Sequence, residues 1–123
     1  MIWGTVTAGR EARVRLRVRG PSGVAATVTA VVDTGFSASL TLPDAVVQSL
    51  GLPLHSIGTG VLAGGQTVQF DVYSAEIEWG GGWKRVYVSA LGGQPLLGMQ
   101  LLLGHELRVA VVPGGAVEIA PLP

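Results

Sequence analysis

The sequence predicts an all-β fold, and three observations carry that expectation. Val, Thr, Leu and Gly dominate, while long segments rich in Glu, Lys and Gln are missing. Residues Glu11 to Arg19 alternate strictly between apolar and basic side chains over Arg13–Arg19, the period of a half-buried strand. Short β-branched runs are separated along the chain by turn signals built from Gly and Pro.

Each element follows in order. Arg13, Arg15, Arg17 and Arg19 share one face of the first clear strand, and Val14, Leu16 and Val18 share the other. Gly20-Pro21-Ser22-Gly23 is a turn, and Val24 to Val32 is the returning strand, buried at its end. A short extended stretch lies within Ser37–Leu42. Pro43 then suits the first turn of a helix, Asp44 complements its dipole and Gly51 suits its end. Ile57–Leu62 and Thr67–Ile77 flank Ala63-Gly64-Gly65-Gln66, which reads as a long hairpin with a flexible tip. Gly80-Gly81-Gly82 leads into a strand from Trp83 to Ala90, and Gly92-Gly93-Gln94-Pro95 breaks the pattern. Gln100–Gly104 forms a helical turn. Leu107–Val112 and Ala116–Ala120, joined by Pro113-Gly114-Gly115, make a last hairpin. The expected whole is one domain over residues 1–123 with one or two short helices.

Composition narrows the function. With 123 residues there is little room for a second core. Hydrophobic residues make up 48% and charged residues 13%. That balance is apolar for a small soluble protein and points to surface buried against another subunit. A formal net charge of zero gives no global attraction to nucleic acid or anionic lipid. The arginine stripe therefore reads as a solvated sheet face, with no aromatic residues interleaved for base stacking. The absence of cysteine excludes disulfides, thiolate chemistry and cysteine metal sites. Met1-Ile2-Trp3-Gly4 lacks the organisation of a signal peptide, and no run reaches the roughly 20 apolar residues of a membrane span. The expectation is a cytoplasmic protein without membrane or nucleic-acid partners.

Other chemistry is thin. His55 and His105 lack a ligand cluster at metal spacing, so no metal and no cofactor are expected. The serines lack a nucleophile elbow, and neither glycine run precedes the Lys-Ser/Thr of a phosphate loop. Trp3, Trp79 and Trp83 read as residues half-buried in a sheet or at an interface.

The informative segment is Val31-Val32-Asp33-Thr34-Gly35. Apolar strands rarely deliver a carboxylate at their end, because burying an isolated charge is costly. The tripeptide alone fits an Asx-type turn as well as a catalytic loop. Downstream stands Pro95-Leu96-Leu97-Gly98-Met99. Taken together, Val-Val-Asp-Thr-Gly and Leu-Leu-Gly resemble the retropepsin-like (clan AA) aspartic proteases, closest in look to small stand-alone prokaryotic members. Leu40-Thr41-Leu42-Pro43, the helix after it and the glycine-tipped hairpin between the motifs extend the match over roughly Val14 to Ile119.

The resemblance implies a retropepsin-like barrel and an aspartic endopeptidase acting on a peptide or unfolded-protein substrate. Such enzymes activate water between two carboxylates about 3 Å apart that share one proton. This chain has a single Asp-Thr-Gly, so the second carboxylate comes from another copy, and a homodimer follows. By similarity Asp33 is catalytic, and Thr34 and Gly35 support the active-site loop. Leu96, Leu97 and Gly98 brace that loop. Ala63, Gly64 and Gly65 form the tip of a flap that closes over an extended peptide.

Two departures bear on turnover. Phe36 stands where proteolytic relatives carry a small residue, and its ring either narrows the cleft or turns into the core. Ser37 replaces an acidic residue that binds the substrate backbone in viral enzymes. The alternative to an endopeptidase is therefore a proteolytically inactive dimer of the same fold that binds a peptide or protein partner. The terminal Ala120-Pro121-Leu122-Pro123 reads as a poor central strand, because proline has no N–H to donate.

Overall fold

The computed structural model describes residues 1–123. Ten strands and two short helices follow one another as β1 (Ile2–Val6), β2 (Ala12–Arg19), β3 (Ala25–Val32), β4 (Leu40–Leu42), α1 (Asp44–Ser49), β5 (Leu54–Val61), β6 (Thr67–Trp79), β7 (Gly82–Ala90), β8 (Leu96–Leu97), α2 (Met99–Leu102), β9 (His105–Val109) and β10 (Ala116–Pro121). The all-β expectation holds.

The strands form one sheet in the order β5-β6-β7-β4-β8-β3-β2-β1-β10-β9. A further pairing of β2 with β6, at Val18 opposite Ile77 and Arg19 opposite Glu76, folds the sheet back on itself. Six strands thereby enclose a barrel-like core, which spares both β2 and β6 an open edge at that point. Val14, Leu16 and Val18 point inward, as their alternation predicts, and pack with Leu40, Leu42, Ile77, Val88, Leu97 and Leu101.

The arginine face is solvated and ion-paired. Arg13 meets Glu11 at 2.6 Å, Arg17 meets Glu78 at 2.8 Å and Arg19 meets Glu76 at 3.1 Å. The Arg19 guanidinium also lies 3.9 Å from the centre of the Trp83 ring, a cation–π contact. Exposed pairs of this kind contribute little each, on the order of 0 to 1 kcal/mol; what they do is give the stripe partners within the chain.

Two features differ from the expectation, and a third agrees with it. Strand β1 was not read from the sequence: Ile2–Thr5 pair with β10 at the far end of the chain, Gly4–Val6 pair with β2, and Trp3 faces solvent. Val31 and Val32 are half-buried rather than buried, because β3 runs out of the core towards the loop at Asp33. Strand β10 lies between β1 and β9 over Ala116–Ile119, but Ala120 and Pro121, expected to make a poor central strand, pair with β9 alone. Proline is tolerated there because pairing with β1 ends at Ile119, so Pro121 has only β9 beside it. No helix is long and apolar enough to cross a membrane.

Candidate active site

Strand β3 ends at Val32 and the chain turns at once. The Asp33 N–H donates to the Leu97 carbonyl at 2.9 Å, and the Phe36 N–H donates back to the Asp33 carbonyl at 3.1 Å. The Gly35 N–H then donates to Asp33 Oδ1 at 2.9 Å. One carboxylate oxygen is oriented by its own loop, while the other takes no hydrogen bond within the chain. The side chain is only half-buried.

The second motif holds this loop from the other side. Leu96 and Leu97 pair in parallel with Val31 and Val32, and the Val31 N–H donates to the Pro95 carbonyl at 2.9 Å. Beyond them the chain donates three times in succession: Gly98 N–H to Ser39 at 2.9 Å, Met99 N–H to Phe36 at 2.8 Å and Gln100 N–H to Ala38 at 3.2 Å, each to a backbone carbonyl. The first turn of α2 thus satisfies its orphan donors with the carbonyls of the Asp33 loop. Gly98 is required for this approach. A side chain there would collide with the Ala38 carbonyl oxygen and stand 2.6 Å from the Phe36 ring. Phe36 therefore lies across Gly98, half-buried, and not free in the cleft.

A residue that the sequence did not single out ties the clasp to the core. Thr41 is 2% exposed, and its hydroxyl accepts the Leu96 N–H at 2.8 Å. A Thr between two leucines of a short buried strand gave no local signal for that role. Trp79 and His105 form another unread pair: the indole N–H donates to His105 Nε2 at 3.3 Å. His105 Nδ1 lies 3.0 Å from the Leu103 carbonyl, which fixes the Nδ1–H tautomer.

Thr34 and Ser37 are exposed and line an open groove of about 540 Å³ with Met99, Leu103 and His105. The Thr34 side chain makes no hydrogen bond within the chain, and Leu103 is 71% exposed beside it. On the other side of the loop, Ala38 and Ser39 border a second groove of about 640 Å³, roofed by Phe70 and walled by Tyr87. Ala63, Gly64 and Gly65 are exposed at the far tip of the β5–β6 hairpin, and no hydrogen bond joins them to the Asp33 loop. The chain gathers no three His, Asp or Glu side chains that could hold a metal ion.

A family model for aspartyl proteases matches residues 14–107, the stretch that carries both clasped motifs. The chain belongs to the aspartyl protease family. No curated protein gives a significant match. Among solved structures, a retropepsin-like aspartic protease from Rickettsia conorii is similar with a TM-score of 0.63 and 20% identity, covering 97% of this chain and 88% of that one. The EIAV protease in complex with the inhibitor HBY-793 is similar with a TM-score of 0.56 and 17% identity, covering 78% of this chain and 88% of that one. At such identities the likeness establishes the retropepsin-like fold of this aspartyl protease. Family and fold agree with what the two motifs imply.

Proposed function

We propose that this aspartyl protease is an endopeptidase working as a homodimer, with Asp33 of each subunit forming the catalytic pair. The observation that carries the reading is the single oriented carboxylate. Asp33 is the one aspartate held on a loop clasped by a second motif, whereas Asp44 and Asp71 lie near Tyr73. Two carboxylates are needed to activate water without a metal, so a second copy supplies the other.

The chemistry then follows from the shared proton. The ionised member of the pair takes a proton from a bound water as that water attacks the scissile carbonyl. The protonated member donates to the carbonyl oxygen, giving a tetrahedral intermediate. Collapse of that intermediate passes a proton to the leaving amine and restores the pair. Gly35, through its N–H to Oδ1, keeps each carboxylate in the plane that lets the two meet.

Several features support the dimer. Thr34 presents an exposed hydroxyl without a partner in its own chain, beside the exposed apolar side chains of Met99 and Leu103. Together they form a face that a second copy covers, with Thr34 bonding across it. The β5–β6 hairpin is the flap, with Ala63, Gly64 and Gly65 at its tip, closing over an extended peptide. Phe36 belongs to the support of the loop, since its ring rests on Gly98, and Ser37 borders the groove on the dimer side.

The test is digestion of an unfolded protein across about pH 4 to 7. Wild type is expected to cleave and Asp33→Asn to be inert. Equal cleavage by both means a contaminant. No cleavage by either, with peptide binding retained, means that the fold serves as a binding module.

A further inference from the structure

We infer that the groove beside Ala38 and Ser39 selects extended peptides in which an apolar residue is followed or preceded by Asp or Glu. The inference rests on the endopeptidase reading and names its substrate class. Phe70, Val72 and Tyr87 supply the apolar part of the groove, and the Phe70 ring lies against Gly58, whose lack of a side chain leaves room for it. Lys84 and Arg85 supply its charge. None of the residues lining the groove is acidic.

Neither cation is neutralised from within. Lys84 stands opposite Ile77 in the β6–β7 register, so its cross-strand neighbour is apolar. Arg85 stands opposite Glu76, but the Glu76 carboxylate accepts from Arg19 Nε at 3.1 Å. On the stripe of β2 three of the four arginines are paired, whereas both cations of this groove are free of any ion pair. A protein of zero net charge thus carries a local excess of two positive charges at one groove.

The backbone adds a reason for an extended ligand. Strand β4 pairs with β7 only from Val88 to Ala90. The stretch from Lys84 to Tyr87 lines the groove with residues from both faces of β7, so the groove runs along an unpaired strand edge. An edge of this kind offers N–H and C=O groups to an extended peptide and leaves the side chains to choose the sequence. Lys84 and Arg85 choose a carboxylate.

The experiment uses peptides blocked at both ends, so that only side chains carry charge. Matched sets place Asp or Glu, their amides, or Lys at each position outside the scissile pair. Cleavage is expected to favour the acidic peptide over its amide by about fivefold at low salt, and less as salt rises. In the double variant Lys84→Glu/Arg85→Glu the preference should reverse towards lysine, read as the ratio of each charged peptide to the neutral one cleaved by the same variant. Equal cleavage of acidic and neutral peptides by wild type overturns the inference while leaving the endopeptidase standing, and so does a preference that survives the double variant. Should no peptide be cleaved, binding of the same set to Asp33→Asn decides separately: tighter binding of acidic peptides upholds the selectivity without turnover, and equal binding ends it.

Discussion

Phe36 and Gly98 are packed so closely that no side chain fits between them. A Cβ atom at position 98 would lie 2.6 Å from both the ring edge and the carbonyl oxygen of Phe36. The loop that carries Asp33 and the turn that starts α2 are therefore set at backbone contact distance, and the Asp33 carboxylate inherits its position from that contact. Gly98→Ala is expected to cost about 2 kcal/mol or more, as over-packed sites do. Phe36→Ala should not rescue it, because the Ala38 and Phe36 carbonyl oxygens remain in the way. Denaturant unfolding of the two single variants and the double variant checks this.

Thr41 holds the Leu96 amide from inside the core. Thr41→Val keeps the shape and leaves a part-buried N–H without its acceptor, at a cost of about 1 to 3 kcal/mol. Thr41→Ser keeps the hydroxyl and should lose less. Hydrogen exchange at the Leu96 amide, faster in Thr41→Val than in Thr41→Ser, separates the lost hydrogen bond from a general loss of packing.

At the hairpin tip the two glycines are not equivalent. Gly65 has φ +81°, in the left-handed region, and its N–H donates to the Leu62 carbonyl at 2.8 Å to close the turn. Gly64 has open space around it and no positive φ. Gly65→Ala is expected to lower stability by about 1 kcal/mol, and Gly64→Ala to be near neutral. Thermal melts of both variants test the difference.

Glu11 ties the start of β2 to the loop before Leu96. Its carboxylate accepts from Arg13 at 2.6 Å and from Gln94 at 2.9 Å. The Arg13 hydrogen bond holds the Glu11 carboxyl below its ordinary value of 4.5, against the opposing effect of burial and with a lesser contribution from Gln94. A lowered folded-state value means that the stabilisation is present above the unfolded value and is lost as pH falls through the folded one. Glu11→Gln should therefore melt slightly lower than wild type at neutral pH, and the gap should close in strong acid. A gap that widens on acidification contradicts the pairing.

Much of this was legible in the sequence because its signals are local. Alternation in Arg13–Arg19 revealed a strand and its inward face, and glycines between β-branched runs marked the hairpins. Asp33-Thr34-Gly35 and Leu96-Leu97-Gly98 were readable as a pair once both stood in order. What escaped has its cause at long range. Strand β1 pairs locally with β2 at Gly4–Val6, but its other edge is completed only by Ala116–Ile119, more than 100 residues away. Thr41 gains its role only when β8 arrives beside β4. Lys84 and Arg85 look like ordinary solvent-facing charges until the hairpin brings Phe70 over the same groove. Phe36 left two orientations open in the sequence, and Gly98 decided between them.

The central claim is that each active site takes one Asp33 from each of two chains, and subunit mixing tests it most directly. A fixed amount of wild type is equilibrated with rising amounts of Asp33→Asn, and peptide cleavage is measured. A shared site predicts that activity falls to about half at an equal amount and to about a tenth at ninefold excess, following the fraction of wild-type chains still paired with one another. Activity that stays constant at every ratio, with exchange of subunits verified, would mean that each chain acts alone.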